Sequence, residues 1–206
     1  MRRIYFATLA LALAAPLVAQ APKGWKLRID KSTSASDPDA PGPVKFETAG
    51  SGFKATNPQA AVYWNPANTA TGNYTLKGTF TLLKPSSHAN YYGLVFGGSD
   101  LEGPQQQYLY FVIAQNGMFI VKRRNGDAST ENVQARTAHE AIKKPGDDGK
   151  SVNTLEVRVG ADKVDYVVNG TVVHSTPKAG LKTDGIWGAR VNHQLEVQID
   201  NLAVTK

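Results

Sequence analysis

The segment GGSDLEGP sets two carboxylates, Asp100 and Glu102, two residues apart in a Gly-flanked stretch. In extended chain that spacing is about 7 Å, close to the separation of acid and base in an inverting glycosidase. They are the one pair we nominate for acid and base catalysis. The same residues also suit a plainer role, since loop carboxylates commonly cap turns or face water. Glu196 and Asp200 in LEVQIDN fall about 13 Å apart along a strand, too far for that chemistry. Four histidines, His88, His139, His174 and His193, stand far apart with no metal-ligand spacing, and there is no cysteine. A zinc site would therefore need assembly in space rather than along the chain. No Gly-x-Ser-x-Gly elbow marks a nucleophilic serine.

A second constellation follows from parity. If Leu109, Phe111 and Ile113 of YLYFVIA face a core, Tyr108, Tyr110 and Val112 face outward. The same alternation sets Tyr91, Gly93 and Val95 against Tyr92, Leu94 and Phe96, and groups Lys122 and Arg124 with Ile120. In DGIWGARVN, a buried Trp187, Ala189 and Val191 would leave Arg190 and Asn192 exposed. Flat aromatics beside planar polar groups, with glycines that leave room, are what a saccharide requires. Tyr91, Tyr108, Tyr110, Lys122, Arg124, Arg190 and Asn192 are thus the candidate platform for an oligo- or polysaccharide. The competing reading is that these tyrosines cover a sheet face or pack under a long polar segment, residues 127–151. Trp25 and Trp64 read as core or edge cover rather than as ligand stackers.

The elements that must position these groups are strands. Period-two alternation recurs along the chain, bounded by Gly, Asn, Asp and Pro, and no segment after the first twenty residues sustains a helical repeat. In YTLKGTFTLL, Tyr74, Leu76, Phe80 and Leu82 share one face, with Thr75, Lys77, Thr79 and Thr81 on the other. Asn116-Gly117 and Asn169-Gly170 sit between strands where a tight hairpin turn belongs. The second of these also matches an Asn-x-Thr glycosylation acceptor, as Asn73 does in NYT. In the last strand Leu195, Val197 and Ile199 share one parity and Leu202 and Val204 the other, which predicts a β-bulge at Asp200-Asn201. Residues 30–43 read as a Ser-, Asp- and Pro-rich loop, and residues 138–143 as one short helical turn within the polar segment.

The first residues, MRRIYFATLALALAAPLVAQA, combine two arginines, an apolar run too short to span a bilayer and an Ala-x-Ala pattern. We expect a signal peptide over residues 1–19, with cleavage after Ala19 or, alternatively, after Ala21, and one domain over residues 22–206. The expected location is secreted or periplasmic, with no membrane span. Without cysteine the domain has no disulfide to lean on, so its core must carry the fold. Loss of Arg2 and Arg3 takes the formal charge from +6 to +4, too mild and too scattered for a nucleic-acid stripe.

Three stretches carry a resemblance: YYGLVFGGSDLEGPQQQYLYFVIAQNGMFIVKRRNG, NTLEVRVGADKVDYVVNGTVVHS and DGIWGARVNHQLEVQIDNLAV. Their strand order and turns resemble the concanavalin A-like lectin/glucanase superfamily, and within it laminin-G-like domains and bacterial 3-keto-disaccharide hydrolase-like domains. The resemblance implies an all-β, jelly-roll β-sandwich of two antiparallel sheets, with glycans bound on one sheet or at its rim. It leaves open a glycoside hydrolase or a structural, protein-binding module, because turns and core alternation are shared by many functions. The Glu-x-Asp-x-x-Glu motif of the superfamily's retaining glucanases is absent. By analogy with its calcium-binding members, the carboxylates to consider are Asp37 and Asp39 in SDPD and Asp147 and Asp148 in GDD.

Overall fold

The computed structural model describes residues 21–32, 37–127 and 129–206. The expected signal peptide lies outside the described residues. In chain order the strands are β1 (Lys26–Asp30), β2 (Lys45–Ala49), β3 (Gly52–Asn57), β4 (Ala60–Ala70), β5 (Tyr74–Lys84), β6 (Tyr91–Ser99) and β7 (Gln107–Ala114). There follow β8 (Met118–Asn125), β9 (Ser129–Ala138), β10 (Ser151–Val159), β11 (Lys163–Val168), β12 (Thr171–Pro177), β13 (Gly185–Val191) and β14 (Leu195–Thr205). They form two seven-stranded antiparallel sheets, ordered β1-β4-β13-β6-β7-β8-β9 and β12-β11-β10-β5-β14-β3-β2. Among the described residues there is no helix. None is therefore long and apolar enough to cross a membrane.

The core lies between the sheets, where alternation delivers one apolar face from each. Leu94, Phe96, Leu109, Phe111 and Ile113 from the first sheet meet Leu76, Phe80, Leu82, Leu155 and Val157 from the second. The bulge at Asp200-Asn201 is present: pairing with β5 shifts register between Asp200 and Ala203, and Asn201 has φ 53°. That extra residue returns Leu202 and Val204 to the core side, so one strand serves the interior along its whole length. At the β11–β12 corner Asn169 and Gly170 both have positive φ, 50° and 86°, as a type I′ turn requires. The Asn169 amide nitrogen also donates to the Ala141 carbonyl at 2.7 Å and to Asn153 Oδ1 at 2.8 Å, so this side chain is committed to the fold. The β7–β8 hairpin instead closes through the Gly117 backbone N–H donating to the Ala114 carbonyl at 3.0 Å, with Gly117 alone in the left-handed region.

Two strands differ from the sequence reading. The polar segment after Asp127 is no long loop: residues 129–138 form β9, paired to β8, and only a tight turn at 139–142 stands where a helical turn was expected. STENVQARTA has no buried residue because it is an edge strand, held by backbone hydrogen bonds rather than by an apolar stripe. In β3 only Phe53, Ala55 and Asn57 are buried, a signal too weak for alternation to register.

Candidate ligand-binding face

All seven platform residues fall on the outer side of the first sheet: Tyr91 on β6, Tyr108 and Tyr110 on β7, Lys122 and Arg124 on β8, Arg190 on β13 and Asn192 just beyond it. Parity places them as expected, with Tyr108 paired across to Arg124 and Tyr110 to Lys122. Exposure does not follow. Tyr91, Tyr108 and Tyr110 are 8%, 2% and 7% exposed and pack with Val62, Trp64, Val95 and Leu101 in a second apolar cluster outside the main core. The tyrosines therefore offer no free ring faces for sugar stacking, and Trp64 and Trp187 are likewise buried.

Curvature explains how outward residues become buried. Asp30 on β1 and Tyr108 on β7 are four strand spacings apart, about 19 Å on a flat sheet. Their side chains together cannot span that distance, yet Tyr108 Oη lies 3.4 Å from Asp30 Oδ2. The outer face must therefore be concave, drawing heads of distant side chains together. Three further contacts from β1 cross the same face: Lys26 Nζ to Glu102 Oε1 at 2.6 Å, Arg28 Nη1 to the Gly103 carbonyl at 2.5 Å, and Arg28 to Asp127. Glycines under the face serve close backbone approach instead of leaving ligand room. A Cβ at Gly188 would stand 2.0 Å from the Tyr63 carbonyl oxygen, and one at Gly93 would stand 2.3 Å from that of Phe111.

Arg190 is the hub. Its guanidinium pairs with Asp30, donates to Tyr108 Oη at 2.9 Å and to Asn192 Oδ1 at 3.2 Å, and lies 5.4 Å from the centre of the Tyr110 ring. Burial pushes the Asp30 carboxyl upward, but the Arg190 charge and hydrogen bond, with Arg124 and Arg28 behind, hold it below the usual aspartate value. Burial also opposes the charge on Arg190, and its surroundings, Tyr108 and Asp30 foremost, outweigh it, so the guanidinium stays protonated. The Tyr108 hydroxyl is pushed up to about 12, chiefly by burial. Lys122 is held below the ordinary lysine value, first by burial and then by the neighbouring charges of Arg190, Arg136 and Arg124.

These groups border a surface cleft of about 480 Å³, lined among others by Arg28, Asp30, Lys31, Arg124, Arg190 and Asn192. Two buried donors on this face, Arg124 Nε and Tyr91 Oη, have no hydrogen-bond partner among the described residues. Arg136 lies over the Tyr91 ring at 5.6 Å. Sequence reasoning missed Arg28, Asp30 and Arg136, because β1 and β9 are edge strands that meet the cleft only through curvature.

Asp100 and Glu102 have other engagements. Asp100, at φ 49°, accepts the Gln105 backbone N–H on Oδ2 at 3.1 Å and so caps its own turn, while Glu102 is exposed and paired with Lys26. Asp148 Oδ1 accepts the Lys150 backbone N–H at 3.0 Å in a surface turn, and Asp147 is exposed beside it. Asp37 and Asp39 face the imidazoles of His88 and His193, whose rings stand 5.5 Å apart. That nitrogen-bearing set does not fit the all-oxygen shell that calcium takes. It also corrects the reading of four scattered histidines, since folding unites two of them.

No family model matches the chain, and no curated protein sequence matches it. Solved structures do. The carbohydrate binding module CBM66 from Bacillus subtilis aligns over 89% of this chain and 96% of its own, with TM-score 0.62 and 9% identity. The VIP36 exoplasmic/lumenal domain, solved with Ca2+ and Man3GlcNAc, aligns over 89% and 86%, with TM-score 0.55 and 11% identity. Alginate lyase A1-II′ aligns over 88% and 94%, with TM-score 0.54 and 14% identity. At such identities the likeness concerns the fold, and the chain has the concanavalin A-like, jelly-roll β-sandwich fold.

Proposed function

We propose that the chain is an exported glycan-binding protein that holds an acidic oligo- or polysaccharide in the Arg190 cleft. The observation that carries this reading is electrostatic. Arg28, Lys31, Lys122, Arg124, Arg136 and Arg190 lie in or beside one concavity that holds only Asp30 and Asp127 as counter-charges among its described lining. Lys122, held below the ordinary lysine value first by burial, is further discouraged from carrying its proton by the neighbouring charges of Arg190, Arg136 and Arg124. A carboxylate or sulfate would relieve the repulsion, and guanidinium groups match such anions in paired hydrogen bonds. Arg124 Nε, buried without a partner, is a donor waiting for such an acceptor. Buried tyrosines make the contact one of polar groups and ring edges rather than of stacked sugar faces. Carbohydrate binding by the CBM66 module and the saccharide-bound VIP36 domain support the same choice of ligand class. The leader-like residues 1–19 support export, which N-terminal mass spectrometry of the protein released by a producing cell tests; a mature chain beginning at Gln20 or Pro22 is expected.

Binding is tested by titrating the protein with a uronate polysaccharide and a neutral glucan in parallel. The uronate should bind with an affinity that falls as salt rises, and Lys122→Ala and Arg136→Ala should each weaken it roughly fivefold. Failure of every acidic glycan to bind at high protein concentration, or binding by both variants as tight as that of the parent, would sink the proposal. Depolymerisation of the bound glycan would instead favour the hydrolase reading.

A further inference from the structure

At one end of the sandwich three segments distant in sequence converge: the β1–β2 loop with Asp37 and Asp39, the β5–β6 connection with His88, and the β13–β14 turn with His193. His193 is buried, at 6% exposure. Its Nδ1 lies 3.1 Å from Asp39 Oδ1, and the other Asp39 oxygen accepts the backbone N–H of Ser32 at 2.8 Å. In the tautomer whose Nδ1 proton Asp39 accepts, Nε2 carries a lone pair. That Nε2 is 3.0 Å from Asp37 Oδ1, within ion-pair reach, but it is not aligned for a hydrogen bond to it and has no hydrogen-bond partner among the described residues. His88 Nε2 comes within 2.7 Å of the same Asp37 oxygen. The two histidine-bearing segments are tied together, since Asn90 Nδ2 donates to the His193 carbonyl at 2.9 Å.

We propose that Asp37, His88 and His193 form a binding site for a divalent transition-metal ion of the zinc class, with Asp39 orienting His193. A buried imidazole lone pair facing a carboxylate oxygen is repulsive, and a cation between them turns the repulsion into two bonds. One donor atom from each of the three residues lies within 4.8 Å of the other two. Ligands held about 2.0–2.2 Å from one ion stand roughly 3 Å or slightly more apart, so small side-chain shifts complete the shell. Two nitrogens with one carboxylate favour zinc, cobalt or nickel over calcium or magnesium. Asp37 and His88 have side chains 45% and 41% exposed, which gives an ion its way in. Three protein ligands leave a further position for water. The site is argued independently of the glycan reading, although His193 also borders the Arg190 cleft.

The test is titration of the full chain, stripped with a chelator, with Zn2+ by calorimetry and with Co2+ by visible absorption. One ion per chain is expected. His88→Gln should weaken binding more than about 100-fold and abolish the Co2+ bands, while Asp39→Asn should weaken it about 10- to 100-fold. His139→Gln should change nothing. Because replacing the buried His193 endangers folding, the exposed His88 variant, checked by circular dichroism, decides the matter. Absence of one-to-one Zn2+ binding, binding by His88→Gln equal to that of the parent, or preference for Ca2+ over Zn2+ overturns the proposal.

Discussion

At the residue scale the Arg190–Asp30 pair concentrates the risk in this molecule, because both side chains are nearly buried and each stabilises the other's charge. Arg190→Met leaves an aspartate in a concave, desolvated site with only Arg28 and Arg124 near, and should cost about 3–5 kcal/mol in urea unfolding. The double variant Asp30→Leu/Arg190→Met should recover most of that loss, which a role confined to ligand binding would not produce. The pair also sets an acid limit. The Asp30 carboxyl is lowered in the folded state, so its contribution to stability is complete above the ordinary aspartate range, about pH 4, and is lost as pH falls through the lowered value. Urea unfolding between pH 2 and 6 should show this loss in the parent chain and not in Asp30→Asn.

At the scale of elements the final strand works only because of its bulge. Asn201 occupies left-handed backbone that glycine accepts and a β-branched residue resists. Asn201→Gly should stay within about 1 kcal/mol of the parent, whereas Asn201→Val should lose about 1–3 kcal/mol. The β4–β13 contact is less forgiving. At Gly188 the obstacle to a side chain is the backbone of the neighbouring strand, so Gly188→Ala should displace β13 and with it Arg190, giving poor yields of folded protein and weakened uronate binding in what remains.

At the scale of the whole molecule the two apolar clusters share the strands of the first sheet, one on each side of it. They should melt together. Trp187 reports on the inner cluster and Trp64 on the outer, so chains retaining only one or the other tryptophan should give coincident urea transitions. An early Trp64 transition would mean that the concave face opens while the sandwich persists.

Alternating apolar residues determined the strands of the interior, Asn-Gly the β11–β12 corner, and the parity change after Ile199 the bulge, because each is a local consequence of side-chain direction and backbone freedom. The side of the sheet on which Tyr108, Tyr110 and Arg190 lie was legible for the same reason. The edge strand β9 was not, since it buries little and draws its order from a neighbour's hydrogen bonds, and nor was the interior strand β3, whose three buried residues include only two apolar ones. Nor could sequence show that outward tyrosines are covered: their burial depends on a sheet curved enough to bring Asp30 against Tyr108. The meeting of His88, His193 and Asp37 was equally hidden. It depends on three connections reaching one end of the sandwich, and only the order of strands in the two sheets decides which connections share an end.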